Sequence, residues 1–293
     1  MTVAARTAAV AGRPAGGTGG RLPGFLVIGA TKCGTTSLHD WLSRHDEVFV
    51  SPWKEMRFFL PGHRWEWGMD WYAAQFTQAG DVRACGEFSN GYGRGAEHPG
   101  VPARVAAALP DVRLVYVIRD PMRRLASHYR HRIVTGREWR DPAAAIAHDP
   151  SYVETGRYGA EIERWLPHVP RERLLVLRAE RLFADPVPAL DRLARHLSVT
   201  PRPDLRLRAE NAAADRHPMP RPLARAIGAA GAWETGRRIA RALPSWARGP
   251  GRASDVPFAL PRDLRDALAR IYDADRAVLR RHVPEADCDW MLT

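Results

Sequence analysis

Lysine is almost missing from this chain: Lys32 and Lys54 are the only two among its 44 lysines and arginines. Where arginine serves as the general surface cation, a retained lysine marks a position that needs a compact point charge with three donors rather than a planar fork. Cysteine is scarce too. Cys33, Cys85 and Cys288 are three in number, far apart, with no CxxC pair, which excludes a disulfide framework and a zinc cluster. Long hydrophobic runs are absent. The best are short stretches such as Phe25–Gly29 and Leu114–Ile118, well below the ~18 apolar residues that span a bilayer. The first twenty residues hold no apolar segment of the kind that marks a secretory signal, so a cytoplasmic protein is expected.

What is present suits a globular enzyme or binding protein. An apolar share of 45% over 293 residues is too high for a disordered chain and sufficient for a full core. The net charge of +11 favours anionic partners such as nucleic acid, a membrane surface or a phosphorylated ligand, but the arginines are dispersed, as a surface default would be. Residues 1–20, rich in Ala, Gly, Pro and Thr, read as a disordered tail, and residues 21–293 as one domain.

From Arg21 onward the pattern alternates. Strands are expected at Phe25–Gly29, Val48–Val50, Val82–Gly86, Val112–Ile118 and Leu174–Leu177. Helices are expected at 36–45, 71–76, 101–109, 121–134, 160–166, 187–197, 223–242 and 262–281, with 200–222 as a loop. Alternating strands and helices predict an α/β fold: a central, mainly parallel sheet of about five strands, flanked by helices on both faces.

The sharpest local feature is Gly29-Ala-Thr-Lys32-Cys33-Gly34-Thr35-Thr36-Ser37, set between the first strand and the first helix. Such a loop offers backbone N–H groups and the positive helix end to an anion, and the hydroxyls of Thr35, Thr36 and Ser37 add donors. The glycine spacing is P-loop-like, but Thr35 stands where a Walker A loop has its lysine, which here has moved to Lys32. Asp120, followed by Pro121, reads as a helix N-cap rather than a magnesium ligand. A P-loop ATP-dependent kinase is therefore the second enzyme reading, and a basic nucleic-acid-binding protein the non-enzymatic one. Arg119 closes another buried strand, at the carboxyl edge where α/β sheets bind ligands, and Ser127 lies on the helix that follows.

Taken together these motifs resemble a known family. Lys32-Cys33-Gly34-Thr35-Thr36-Ser37-Leu38 is similar to the 5′-phosphosulfate loop of sulfotransferases that use 3′-phosphoadenosine 5′-phosphosulfate (PAPS). The run Arg119-Asp-Pro-x-x-Arg124-x-x-Ser127-x-Tyr129 looks like their 3′-phosphate motif. Gly156-Arg-Tyr158, Arg173-Leu-Leu-Val-Leu and Ala184-Asp-Pro follow in the family's order, closest to the heparan-sulfate-type branch and its bacterial relatives. The resemblance implies that Lys32, Cys33, Gly34, Thr35, Thr36, Ser37, Arg119, Ser127 and Tyr158 hold the nucleotide, PAPS before and PAP after transfer, without a metal. Arg216, in a stretch that lacks the family's Lys-Gly opening, would join them.

Sulfuryl transfer needs donors at the departing phosphate and a base for the acceptor. The resemblance gives the first task to Lys32. It gives the second to Glu55, within a Lys54-Glu55-x-x-Phe58-Phe59 segment of family type. Lys54, Trp53, Glu87 and Ser89 would meet the acceptor, although Phe88 stands where the family has a lysine. The implied acceptor is a hydroxyl, less readily an amine, of a glycan or a glycosylated or lipidic small molecule. Neither nucleic acid nor a membrane span is part of this reading.

Overall fold

A computed structural model describes residues 21–208, 219–230 and 252–290. Their contacts divide into two compact units. The first holds residues 21–119, 158–208 and 278–289; the second holds 120–157, 219–230, 252–277 and Trp290.

The first unit is built on five strands, β1 (Phe25–Gly29), β2 (Val48–Val50), β3 (Ala84–Phe88), β4 (Arg113–Ile118) and β5 (Leu174–Arg178), in the order β2-β3-β1-β4-β5. Every neighbouring pair is parallel, as alternation with helices requires. All residues of β1 and β3 are buried, so helices cover both faces of the central strands and their sequences read as continuous rather than alternating runs. From β1 the chain leaves toward β2 and β3, and from β4 toward β5, so β1 and β4 form the switch point of the sheet. Ligands in open α/β sheets bind outside the carboxyl ends of such strands.

Strand β3 begins two residues later than its apolar pattern predicts. Its pairing with β2 starts at Val48 with Ala84, while the Val82 carbonyl accepts from Arg21 Nη1 at 2.7 Å. Register against β1 then pairs Phe25 with Gly86 and Val27 with Phe88, which draws Glu87 and Phe88 into the strand. The helices of this unit are α1 (Thr35–Ser43), α2 (Gly68–Ala74), α3 (Val101–Ala108), α7 (Tyr158–Trp165), α8 (Ala179–Ala184) and α9 (Pro186–Leu197). Helix α8 is too short to show a period and was not expected.

The second unit starts with α4 (Pro121–Val134). Asp120 caps it by accepting from the Arg123 N–H at 2.8 Å, and Pro121 sits at the first helical position, as its sequence predicts. Two unexpected short helices follow, α5 (Pro142–His148) and α6 (Ser151–Glu154). Leu125, Tyr129, Ile133, Tyr152, Leu268 and Tyr272 form the core with the helix Arg262–Leu279. The guanidinium of Arg124 lies wholly inside it, donating to the Tyr152 carbonyl and to His128. Helix α10 (Arg221–Ala229) accounts for the described part of the expected 223–242 helix; residues 231–242 lie outside the described residues. Among the described residues no helix is long and apolar enough to cross a membrane.

Gly86 tests the β1–β3 register. A Cβ there would stand 2.4 Å from the Phe25 carbonyl oxygen and 2.6 Å from its ring, a clash with backbone that no rotamer relieves. Gly86→Ala is expected to cost about 1–3 kcal/mol or more, read as a lower urea midpoint at unchanged slope; wild-type stability would refute this pairing.

Candidate active site

The loop after β1 is shaped by two left-handed residues, Lys32 at φ 72° and Gly34 at φ 90°. A Cβ on Gly34 would also meet the edge of the exposed Phe183 ring at 2.6 Å, so that ring would have to shift. Gly34 occupies the N-cap of α1, and no side chain among the described residues caps that helix. The first-turn N–H groups are thus presented to the loop, the arrangement that suits an oxyanion. Thr35 and Ser37 are buried, whereas Thr36 is exposed. Cys33 is buried and its thiol lies 3.7 Å from the Tyr158 hydroxyl.

Two further cations meet this loop. Arg119, after β4, donates from Nη1 to the Lys32 carbonyl at 3.4 Å, which the switch point allows because β1 and β4 are neighbours. Lys54, from the segment after β2, donates from Nζ to Thr36 Oγ1 at 2.6 Å. Burial lowers the Lys54 pKa, and the neighbouring Glu55 carboxylate opposes that shift. Lys54 is therefore seated on the anion loop rather than only beside an acceptor.

Glu55 is held in place by the end of β3. Its N–H donates to the Phe88 carbonyl at 2.7 Å, and the Arg57 N–H donates to Ser89 Oγ at 2.8 Å. Both Glu55 (φ 63°) and Arg57 (φ 57°) adopt the left-handed conformation, which costs energy in a non-glycine residue and persists only when its surroundings impose it. Glu55 Oε1 accepts from Asn90 Nδ2 at 2.6 Å, while Oε2 faces Arg57 Nε at 3.6 Å. The carboxylate is half-exposed and oriented, which a proton acceptor needs.

Glu87, Ser89 and Tyr158, like Cys33, are expected to touch ligand and have fully buried side chains. Glu87 lies beneath the Glu55 loop, its Oε1 accepting from Tyr92 at 2.6 Å and Tyr72 at 2.9 Å, its Oε2 from Ser89 at 3.3 Å. Glu87 and Ser89 thus lie under the loop that carries Glu55, which Ser89 holds through the Arg57 N–H. The cause is pairing with β1, which sets Glu87 beside Leu26 and ties the Ser89 N–H to the Val27 carbonyl. Tyr158 is likewise enclosed and supports the loop through Cys33. Ser127 is half-buried on α4 in the second unit, and Arg216 lies outside the described residues.

Several residues escaped the sequence reading. His39, one turn beyond Thr36 on α1, packs edge-on to Phe88 at 4.9 Å. Burial, and then Lys54, lower its pKa to about 4, so a neutral imidazole faces Phe88. Asn90 and Arg57 hold Glu55, and Arg64 stacks on Trp53 at 5.0 Å and on Trp67 at 5.5 Å. Trp53 is half-buried against Trp71, whereas Trp67 is 47% exposed. The i, i+3 spacing of Thr36 and His39 was a usable signal, whereas Asn90 on Glu55 and Arg64 on Trp53 depend on contacts more distant in sequence.

Burial raises the Glu87 pKa to about 7, against the hydrogen bonds from Tyr92, Tyr72 and Ser89. Below its ordinary value of 4.5 the carboxyl is protonated whether the chain is folded or not. Between there and about 7 the unfolded chain ionises first, so stability falls as pH rises through that window and then levels. Glu87→Gln is expected to flatten this fall between pH 4.5 and 7 in urea titrations; an unchanged slope would show that Glu87 is ionised in the folded protein.

Comparison with known proteins agrees with this geometry. The family model for a sulfotransferase domain matches residues 22–211. The human bifunctional heparan sulfate N-deacetylase/N-sulfotransferase 3 is 32% identical over 208 residues, covering 62% of this chain and 23% of that protein. Mouse heparan sulfate glucosamine 3-O-sulfotransferase 5 is 27% identical over 195 residues, 62% of this chain and 55% of that one. The chain thus spans under a quarter of the bifunctional relative. The crystal structure of a sulfotransferase from Alicyclobacillus acidocaldarius shares the fold, with a TM-score of 0.63 at 24% identity over 89% of this chain and 95% of that chain. With a parallel sheet, an anion loop at its switch point and a family model matched over most of its length, the chain belongs to the sulfotransferase family.

Proposed function

We propose that the protein transfers the sulfuryl group of PAPS to a hydroxyl, less readily an amine, of a carbohydrate or of a glycosylated or lipidic small molecule. The heparan sulfate substrates in its relatives' names favour a carbohydrate. The observation that carries the reading is the convergence of Arg119 and Lys54 on the loop that bears Lys32, beside an oriented Glu55. In this reading residues 21–293 act as one catalytic domain. The three cysteines are free thiols, which suits a reducing, cytoplasmic setting.

The acceptor oxygen attacks sulfur and forms the new S–O bond while the bond from sulfur to the bridging oxygen breaks. The acceptor proton passes to Glu55, and the electron pair leaves with the 5′-phosphate of PAP. Charge then grows on that phosphate. Lys32, the first-turn N–H groups of α1 and the Thr36 hydroxyl backed by Lys54 are the donors for it. Arg119 holds the Lys32 carbonyl and serves the 3′-phosphate. Trp53, Arg64 and Trp67 form a stacked wall next to the base, suited to a sugar face.

Transfer from radiolabelled PAPS to glycan acceptors and to neutral sugar glycosides tests the reading, with calorimetry against PAP and Mg-ATP. Glu55→Gln is expected to lower kcat by about 10²–10⁴-fold with PAP affinity unchanged; a large loss of PAP binding would mean that the base is misassigned. Lys32→Ala should lower kcat by ~10²–10³-fold. Arg119→Ala should instead weaken PAP binding, by about ten- to a hundredfold for a lost charged contact. Magnesium-dependent ATP binding without PAP binding would overturn the assignment in favour of a kinase.

A further inference from the structure

Phe183 is 43% exposed, although an aromatic side chain of its size gains much from burial. It belongs to α8, which follows β5 directly. Ala179 and Leu182 of the same helix are buried and anchor it on the first unit. Phe183 is thus a surface ring on an anchored helix, and the transfer chemistry above makes no use of it.

The ring lies on the anion loop. A Cβ on Gly34 would stand 2.6 Å from its Cε2 and 2.8 Å from its Cζ. Allowing for a carbon–carbon bond, this edge comes within roughly 4 Å of the Gly34 Cα. Gly34 is the N-cap of α1, next to the first-turn N–H groups that suit a phosphate. A group that such a phosphate carries on a short link is within reach of Phe183.

Sheet order decides which part of the ligand that is. In the order β2-β3-β1-β4-β5 the anion loop follows the central strand. Glu55 is tied to the Phe88 carbonyl at the end of β3, on one side of that strand. Arg119 follows β4 and α8 follows β5, both on the other side. The acceptor and the sulfuryl group meet Glu55, so they belong to the β3 side. The nucleoside, whose 3′-phosphate is assigned to Arg119, belongs to the side of β4 and β5, where Phe183 stands.

We propose, resting on the PAPS reading above, that Phe183 binds the nucleotide by stacking on its base. Every base offers a π-face, so such a contact adds affinity without hydrogen-bond readout. Calorimetry of the full chain against PAP and against the base-free analogue 1-deoxyribose 3,5-bisphosphate tests it. The wild-type protein is expected to bind PAP more tightly than the analogue. Phe183→Ala should weaken PAP binding by about five- to 150-fold and leave the affinity for the analogue at its wild-type value. Phe183→Leu keeps apolar packing on Gly34 without a π-face; it should lose PAP affinity in the same direction at the wild-type melting temperature, while Phe183→Trp retains it. Unchanged PAP affinity in the alanine and leucine variants, an equal loss for both ligands, or equal wild-type affinity for the two would overturn the proposal and leave the PAPS reading standing. Failure of the wild-type protein to bind PAP would overturn that reading, and the proposal with it.

Discussion

Parallel pairing of β1 with β4 constrains everything that happens at the carboxyl edge of the sheet. Because the chain leaves these two neighbours in opposite directions, the space beyond their ends is not filled by a crossover. The loop after β1 and the arginine after β4 both project there, and Arg119 reaches the Lys32 carbonyl. The backbone adapts to the same demand: the β1–β4 register slips between Val27 and Gly29. Gly29 turns to φ 152° beside the Tyr116 ring, where a Cβ would come within 3.1 Å.

A second constraint operates one strand away. The loop that carries Glu55 holds two left-handed non-glycine residues, and what sustains them is a polar core beneath. Glu87, Tyr72, Tyr92 and Ser89 form a buried network whose members satisfy one another, and it connects upward through the Phe59 and Arg57 N–H groups. Such a network is stabilising only when it is complete. A raised Glu87 pKa is the energetic consequence of burying a carboxyl in that position, and the network also fixes the backbone of the loop that carries Glu55.

The scarcity of lysine acquires a physical meaning here. Both lysines of the chain belong to the anion loop, Lys32 in its turn and Lys54 on the Thr36 hydroxyl, while arginine fills roles in packing and bridging, including the core of the second unit at Arg124. A compact ammonium can follow charge as it moves between oxygens. A guanidinium fork is better at fixing geometry, which is what Arg64 does between Trp53 and Trp67.

The sequence by itself determined the α/β class, the parallel sheet, the loop between the first strand and helix, the Asp120-Pro121 helix start and the pairing of Lys32 with Glu55 as candidates. All of these are written in local patterns: apolar runs, glycine placement, capping chemistry and short motifs that one helical turn or one strand end can express. Only the tertiary structure decided which of the other candidates are enclosed and which stay accessible. Glu87, Ser89 and Tyr158 went inward because strand register and side-chain enclosure are set by partners far along the chain. Lys54, His39 and Asn90 took their places because β2, β3 and α1 bring their ends together. Distance in sequence hides such contacts, and the free energy of burial, which sorts them, exists only once the sheet has formed.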